Sequence, residues 1–594
     1  MKQPLWNNRI IQWLAGFAGA MVMFDTLAVT DTTARGQVAG SYSFLAFVFC
    51  IFSAFAYEKI CDKTKKKNLW DLCVSGGFAL FLSVALVVGS RLETVENFNV
   101  GEIKAWISTV LLTVYFVPMV QYLWEQVALI SWEKEVCEKN NFLRNWVLIF
   151  ACWIPVFLAF YPGAFVYDAQ DEYVQVATRS FTTHHPLVHV LLLGGMVCAG
   201  NKFFGSYNVG IALYTLFQML VLSGVFSYTI EYVKKRIKWK NAEKIALTFY
   251  GLFPVISMYA VCSAKDGLFT AAFLVVIIKM LQFFENPEKF CEKKGNLVAS
   301  ILAAVAMMLF RNNGMYAYVV WLPLVAMGIF ILTKQKKYSI VITCVMAGSV
   351  LAFLVSAKIL AAVLGASDVE SQEIMTVPIQ QMVRTYVYSP DTYTEEEKEI
   401  LFEIIPEEDM KLYNPRLSDL VKSKFNNTNF NANKGKYLAL WLKTGMRKPL
   451  IYLNAWFMTS YGYWYPDAVI NVYGGNTVHT FTYQDSSYFG FETENPGIRE
   501  SKFPWLEEQF RKMSLELYQH KLPGVSMLFS PGFMFWVYAF IVCFLVWKKK
   551  WNRVLGMSGI LLLWLTVILG PTYLVRYVLI LWFAMPVIVS ELKS

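Results

Sequence analysis

Between an apolar run ending at Phe160 and one beginning at Pro186, the chain gathers Tyr161-Pro162-Gly163, Asp168, Asp171, Glu172, Gln175, Arg179, His184 and His185. Carboxylates and imidazoles are costly where a chain leaves a bilayer, so such a crowd reads as a functional site by default. On a helix, offsets of three, four and seven from Asp168 put Asp171, Glu172 and Gln175 on its face. A one-face carboxylate cluster can deprotonate a hydroxyl, hold a divalent cation, or both. The same pattern suits a solvated loop helix whose acids favour the N-terminal turn. His184, His185 and His189 are three of the five histidines. His185 and His189 lie one turn apart, as a metal would want, but no cysteine or His-Glu-x-x-His pattern accompanies them. A histidine that donates to a phosphate or orients a carboxylate is the stronger reading; a helix start at Pro186 is the plain one.

Cations recur at other breaks between apolar runs: Lys265-Asp266, Arg311-Asn312-Asn313-Gly314, and Arg576 within Pro571 to Tyr577. Each singly could be a snorkelling anchor. Three at one depth on separate runs suit a lipid-borne phosphate, which arginine grips bidentately. Further along, Gln380, Gln381 and Arg384 follow Glu370 and Glu373, and Tyr461-Gly462-Tyr463-Trp464-Tyr465-Pro466-Asp467 forms an aromatic run. Such rings stack on sugars or populate a membrane-interface belt, and the belt is the favoured reading. Asn426-Asn427-Thr428 matches a glycosylation sequon.

The elements that must position these residues are membrane helices. The chain is 56% hydrophobic and 16% charged, its mean hydropathy is +0.43, and its apolar runs reach the roughly twenty residues needed to cross hydrocarbon. Spans are expected at 10–30, 40–57, 70–90, 106–131, 145–161, 207–231, 243–262, 267–285, 296–310, 315–333, 339–363, 526–547, 555–571 and 574–591, about fourteen in all. With Lys2 and Arg9 inside, the clusters at Lys63 to Lys67, Lys134 to Arg144, Lys234 to Lys240, Lys289 to Lys294, Lys334 to Lys337 and Lys548 to Arg553 share that side. The formal charge of +10 therefore reports topology, not nucleic-acid binding. Counting 186–204 as a span would break this pattern, so that stretch is expected to be a re-entrant or juxtamembrane helix of an outer loop, 162–206. The expected organisation is a four-helix module (1–144), a membrane core (145–363), an outer mixed domain (364–525) and closing helices (526–594). The ten cysteines are scattered, without a Cys-x-x-Cys pair.

Taken in order, Phe160-Tyr161-Pro162-Gly163, Asp168 with Glu172 and Gln175, His184-His185-Pro186 with His189, Lys265-Asp266, Arg311-Asn312-Asn313-Gly314, Pro378-Ile379-Gln380-Gln381 with Arg384, and Arg576-Tyr577 resemble a group of poorly characterised bacterial multi-pass proteins. That group is similar to glycosyltransferases of the GT-C fold, which use polyprenyl-phosphate-linked sugars; the resemblance spans 145–591. It implies an all-α polytopic, GT-C-like enzyme of the cell membrane, with cytoplasmic termini and an extracytoplasmic site. Asp168 takes the catalytic role first, with Asp171 and Glu172 as second candidates, although the run is Asp-x-x-Asp-Glu and not a clean acidic pair. Lys265, Arg311, Arg576, His184 and His185 are the residues expected on the donor phosphate. Gln175, Asp266, Asn312, Gln381, Arg384 and Trp464 are expected against acceptor or sugar. The implied partners are a polyprenyl-linked donor, membrane lipid, and an envelope glycan, lipid or protein acceptor. The cofactor question stays open between none and a divalent cation, Mg or Mn. A lipid or glycan flippase and a surface-glycan polymerase or ligase are the competing readings.

Overall fold

A chain in hydrocarbon must satisfy every backbone N–H and C=O within itself, so the apolar runs fold as helices. The computed structural model describes residues 8–27, 43–64, 68–130, 140–237, 239, 241–333, 336–469, 495–515, 519 and 524–593. Lys2, Lys65 to Lys67, Lys134, Lys139, Lys238, Lys240, Lys334 and positions 470–494 of the outer segment lie outside the described residues. The protein is an all-helical, polytopic membrane protein; among the described residues β pairing is confined to isolated bridges.

The N-terminal layer is α1 (Arg9–Thr26), α2 (Phe44–Lys63), α3 (Leu69–Val95) and α4 (Ile103–Leu129). Asn8, Ser43 and Asn68 cap α1, α2 and α3 by accepting from backbone N–H groups that would otherwise be orphaned. The site is carried by α5 (Phe142–Ala159), α6 (Tyr167–Thr178), α7 (Leu187–Phe204), α8 (Tyr207–Arg236), α9 (Ala242–Leu252), α10 (Pro254–Val261), α11 (Asp266–Glu285), α12 (Lys294–Phe310), α13 (Asn312–Thr333) and α14 (Lys336–Leu364). The following segment contributes α15 (Thr376–Tyr388), α16 (Lys434–Arg447) and α17 (Pro449–Ser460); α18 (Pro531–Trp547) and α19 (Trp551–Val567) return to the bundle.

Among the described residues nine helices are long and apolar enough to cross a membrane, or ten if α9 and α10 form one span bent by 52°. The bend sits at Phe253-Pro254, where proline removes a donor and disfavours helical backbone before it. Fourteen spans were expected. The apolar runs near 296–310, 526–547 and 555–571 form helices of only 17 residues, α12, α18 and α19. The run 574–591 is no continuous span: it breaks into Val575–Val578, Ile580–Phe583 and Met585–Ser590, with Pro586 starting the last piece.

Helix α11 is the central post, with most of its side chains buried. Lys265 and Asp266 stand at its start. At its far end Glu285 accepts from Arg236 at 2.9 Å, and Arg236 and Arg553 both reach Glu591, at 2.9 and 3.2 Å. Twenty helical residues separate these polar layers by about 30 Å, the thickness of the hydrocarbon core. Basic Lys234, Lys235, Lys548 and Lys549 adjoin the Arg236 layer in sequence, so the site occupies the opposite end.

Helix α7 has the length and composition of a span, and the contacts at its two ends bear on its course. His185, just before α7, bonds Lys265 at 2.9 Å, while α8 ends in the Arg236 layer. Since α8 runs for 30 residues, about 45 Å, its start at Tyr207 must lie back on the site side. There Asn208 holds Ile498, and Glu500 N–H bonds Tyr161. Gly200 and Gly210 let α7 and α8 touch backbone to backbone: a Cβ on Gly200 would sit 2.2 Å from the Gly210 nitrogen.

The described part of 364–525 is helical rather than mixed, and Ile379, Met382, Leu401, Ile404 and Val421 form an apolar core of its own. Tyr461, Tyr463 and Tyr465 are fully buried, so this run is not an interface belt.

Candidate functional site

The acidic helix α6 is placed by the segment before it. Gly163 at φ +137° turns the chain where a Cβ would strike Thr215. Ala164 N–H then donates to Val261 C=O, and Ser263 N–H to Ala164 C=O, both at 3.0 Å. Ser263 Oγ also accepts from Val166 N–H at 3.1 Å. This short parallel stitch locks the start of α6 to the chain leading into α11, so Asp168 and Lys265 face each other.

Asp168 Oδ2 accepts from Lys265 Nζ at 3.1 Å and from Arg576 Nη1 at 2.9 Å. Burial alone would raise its carboxyl, but Arg576, Lys265 and His185 outweigh that and hold it well below the ordinary 3.8. Lys265 donates as well to His185 Nδ1 at 2.9 Å. Burial first, then the Lys265 charge, pushes His185 down to about 3, which keeps Nδ1 a neutral acceptor.

A second pair adjoins the first. Asp266 is 0% exposed and pairs with Arg311, and Arg576 Nε stands 4.0 Å from its Oδ2. The guanidinium carbons of Arg311 and Arg576 lie 4.4 and 5.0 Å from the ring centre of Tyr577. Within ion-pair distance, Lys265, Arg311 and Arg576 thus meet two carboxylates, so the directly paired set holds one more basic than acidic side chain. Such a cluster is arranged to receive an anion.

Arg576 reaches it because its turn is tied down. Tyr463 OH accepts from Leu574 N–H at 3.0 Å and donates to Thr572 C=O at 3.1 Å. Thr572 Oγ1 donates to Arg416 C=O, and Ser418 N–H to Pro571 C=O.

Other expected site residues are placed differently. Glu172 is buried and faces His189, which outweighs burial and holds the carboxyl below its usual range. Asp171 lies on the exposed side of α6; partial desolvation of its carboxyl by the surrounding chain and the neighbouring Asp168 charge raise it. His184 is exposed and packs edge-on against His185. Gln175 accepts from Thr182 N–H at 3.0 Å, closing the loop after α6. Asn312 is exposed. Gln381 bonds Tyr452 C=O and Trp441 Nε1. Arg384 donates to Tyr413 OH and, at 2.8 Å, to the Glu96 carbonyl just past α3. Trp464 packs on Phe457. Among the described residues, none of Gln381, Arg384 and Trp464 bonds Asp168; Trp464 C=O instead accepts from Trp536 of α18 at 2.7 Å. Asn426 of the sequon caps a helix through its own side chain.

Among the described residues no three His, Cys, Asp or Glu side chains converge as a metal site, and the Asp168 and Asp266 carboxylates are turned onto cations. The donor set for a divalent cation is therefore not assembled here.

Tyr214 and Gln218 were not singled out from the sequence. Tyr214 OH meets His189 Nε2 at 2.7 Å and donates to Gln218 Oε1 at 3.1 Å. Gln218 Nε2 donates to the carbonyls of Tyr259, Ala260 and Cys262 at 3.2, 3.0 and 2.7 Å. Their signal was two polar side chains one turn apart inside an apolar helix.

No curated protein and no solved structure matches the chain. A family of unknown function, DUF6020, matches residues 174–593, a stretch that begins just past Asp168 and takes in Lys265, Arg311 and Arg576. With well over half its length matched, the chain belongs to the DUF6020 family.

Proposed function

We propose that the protein is a membrane glycosyltransferase of GT-C type, moving a sugar from a polyprenyl-phosphate-linked donor to a cell-envelope acceptor at the extracytoplasmic face. The observation that carries this reading is Asp168 Oδ2 bridged by Lys265 and Arg576, with the Arg311–Asp266 pair beside them. The site's position opposite the basic Arg236 end supports the outward orientation, because Lys and Arg mark the cytoplasmic side.

In the resting site both cations lie on Asp168 and make it a weak base. A donor phosphate would compete for Lys265 and Arg576, with Arg311 beside them, and bring its sugar to the carboxylate. As the cations turn to the phosphate, Asp168 regains basicity. It then takes the proton of the acceptor hydroxyl while that oxygen bonds the anomeric carbon. The bond from that carbon to the phosphate oxygen breaks, the electron pair leaves with the lipid phosphate, and the anomer inverts. Charge growing on the leaving phosphate is met by the three cations.

The test uses the purified full chain with a radiolabelled polyprenyl-phosphate sugar and a lipid or glycan acceptor. Asp168→Asn should lower transfer by about 10² to 10⁴, the usual worth of a general base, with the melting profile retained. Undiminished transfer by that variant would remove Asp168 from the chemistry. Translocation of the donor across vesicles without transfer would favour the flippase reading, and a ladder of lengthened products the polymerase.

A further inference from the structure

The polar chain that starts at Glu172 closes on itself. Asp168 and Glu172 are one turn apart on α6. Glu172 meets His189 of α7, His189 meets Tyr214 of α8, and Tyr214 meets Gln218. Gln218 holds the carbonyls of Tyr259, Ala260 and Cys262, three residues before Lys265, which returns to Asp168 at 3.1 Å. Every side chain in this chain is buried: Glu172 is 1% exposed, and His189, Tyr214 and Gln218 are 0%.

Hydrogen-bond direction is fixed along it. The Gln218 amide nitrogen is committed to carbonyls, which are acceptors only, so its oxygen faces Tyr214. The single hydroxyl proton of Tyr214 goes to that oxygen. His189 Nε2 must therefore be the donor to the Tyr214 oxygen, and Nδ1 turns to the Glu172 carboxylate. The last turn of α10 would otherwise leave carbonyls unpaired in a dry interior; Gln218 supplies donors to them from α8. The extended segment Cys262 to Lys265 is thus gripped on one side by Ala164 and on the other by Gln218.

We propose that Glu172, His189, Tyr214 and Gln218 are positioning residues which, across three helices, fix the segment Cys262 to Lys265 and so set the Lys265 ammonium against Asp168. Glu172, an acid in the first outer loop, then acts through His189 rather than on a substrate. The importance of the chain for transfer rests on the reaction proposed above; the placement of Lys265 does not.

Two measurements on the full-length protein in detergent test it, neither needing a substrate. Nitrogen-15 NMR with labelled histidine, assigned by the signals lost in His189→Gln, should show His189 Nε2 in the protonated range. An unprotonated Nε2 would overturn the direction of the chain. Acylation of Lys265, followed by mass spectrometry, should be roughly five- to tenfold faster in Tyr214→Phe, the factor that corresponds to one lost hydrogen bond. Lys422, which is paired with Glu373 at 2.9 Å, reports on folding and should react at the wild-type rate. A Lys265 rate within twofold of wild type in a variant that keeps Lys422 protected would sink the proposal. If the histidine signature and the Lys265 effect both appear while the wild type transfers no sugar, the proposed reaction fails and the positioning chain stands.

Discussion

Replacing Arg311 by methionine keeps an apolar stem against Tyr577 but strips Asp266 of its closest cation. Asp266 is fully buried, and removing one partner of a buried ion pair costs about 3–5 kcal/mol because the other charge is left behind. Arg576 lies 4.0 Å away, where two unit charges attract by about 4 kcal/mol at an effective dielectric of 20. It is already shared with Asp168 at 2.9 Å, so its relief is partial and the loss should fall near the low end, about 3 kcal/mol. Asp266→Asn alone leaves three cations facing one carboxylate and should also destabilise. The double variant has two cations and one carboxylate, which restores the excess of one basic side chain in the paired set. The four proteins form a cycle, read by reversible unfolding in mixed micelles of increasing SDS fraction. A coupling energy of about 2–3 kcal/mol in favour of the double variant is expected. Additive losses, with coupling under about 0.5 kcal/mol, would refute the charge argument for this cluster.

His185 is held neutral in the fold, with its value lowered from 6.5 to about 3. Between those values the unfolded chain binds a proton that the native chain does not, so stability should fall with falling pH from 6.5 toward 3, by up to about 1.4 kcal/mol per unit; His185→Gln should flatten that slope in the same unfolding assay. Gly200→Ala places a methyl where the Gly210 nitrogen stands, and should cost about 1–3 kcal/mol as overpacking, while raising Lys265 acylation because α7 is pushed off α8. Arg384→Met removes two charge-assisted bonds, each worth about 1.5–3 kcal/mol, and should speed limited proteolysis within 376–460 more than within the bundle; equal cleavage rates would remove Arg384 as the tie to α3.

What the sequence revealed of the site depended on position along the chain. Asp168, Lys265, Arg311 and Arg576 stand at breaks between apolar runs, where charge is conspicuous, and the fold brings them together. Which acids of α6 turn inward was hidden, since Asp171 and Glu172 differ by one residue and only packing against α7 decides between them. Tyr214 and Gln218 sit inside a hydrophobic helix whose period gives no hint of their partners. The bond from Arg384 to the carbonyl at the end of α3 was not legible because that partner is remote in sequence. The final apolar run read as a span by length and hydropathy, which say nothing of the breaks around Leu579 and Ala584. For α7 the two sequence signals disagree: its length and hydropathy are those of a span, while the distribution of basic clusters, which sums over the whole chain, argues against a crossing.

The buried stretch from Tyr461 to Tyr465 joins parts that are far apart in sequence. Its hydroxyls bond Glu93, the Pro571–Arg576 turn and, through Tyr465, the carbonyl of Thr26 in α1; Gly89 and Gly532 leave space for Tyr465 itself. One guanidinium of the charged cluster is thus moored by a tyrosine-rich 3-10 turn that also fastens the leading helices. A displacement of the leading helices or of the 364–525 segment would therefore pull on the turn that carries Arg576, so these distant parts of the chain are mechanically joined.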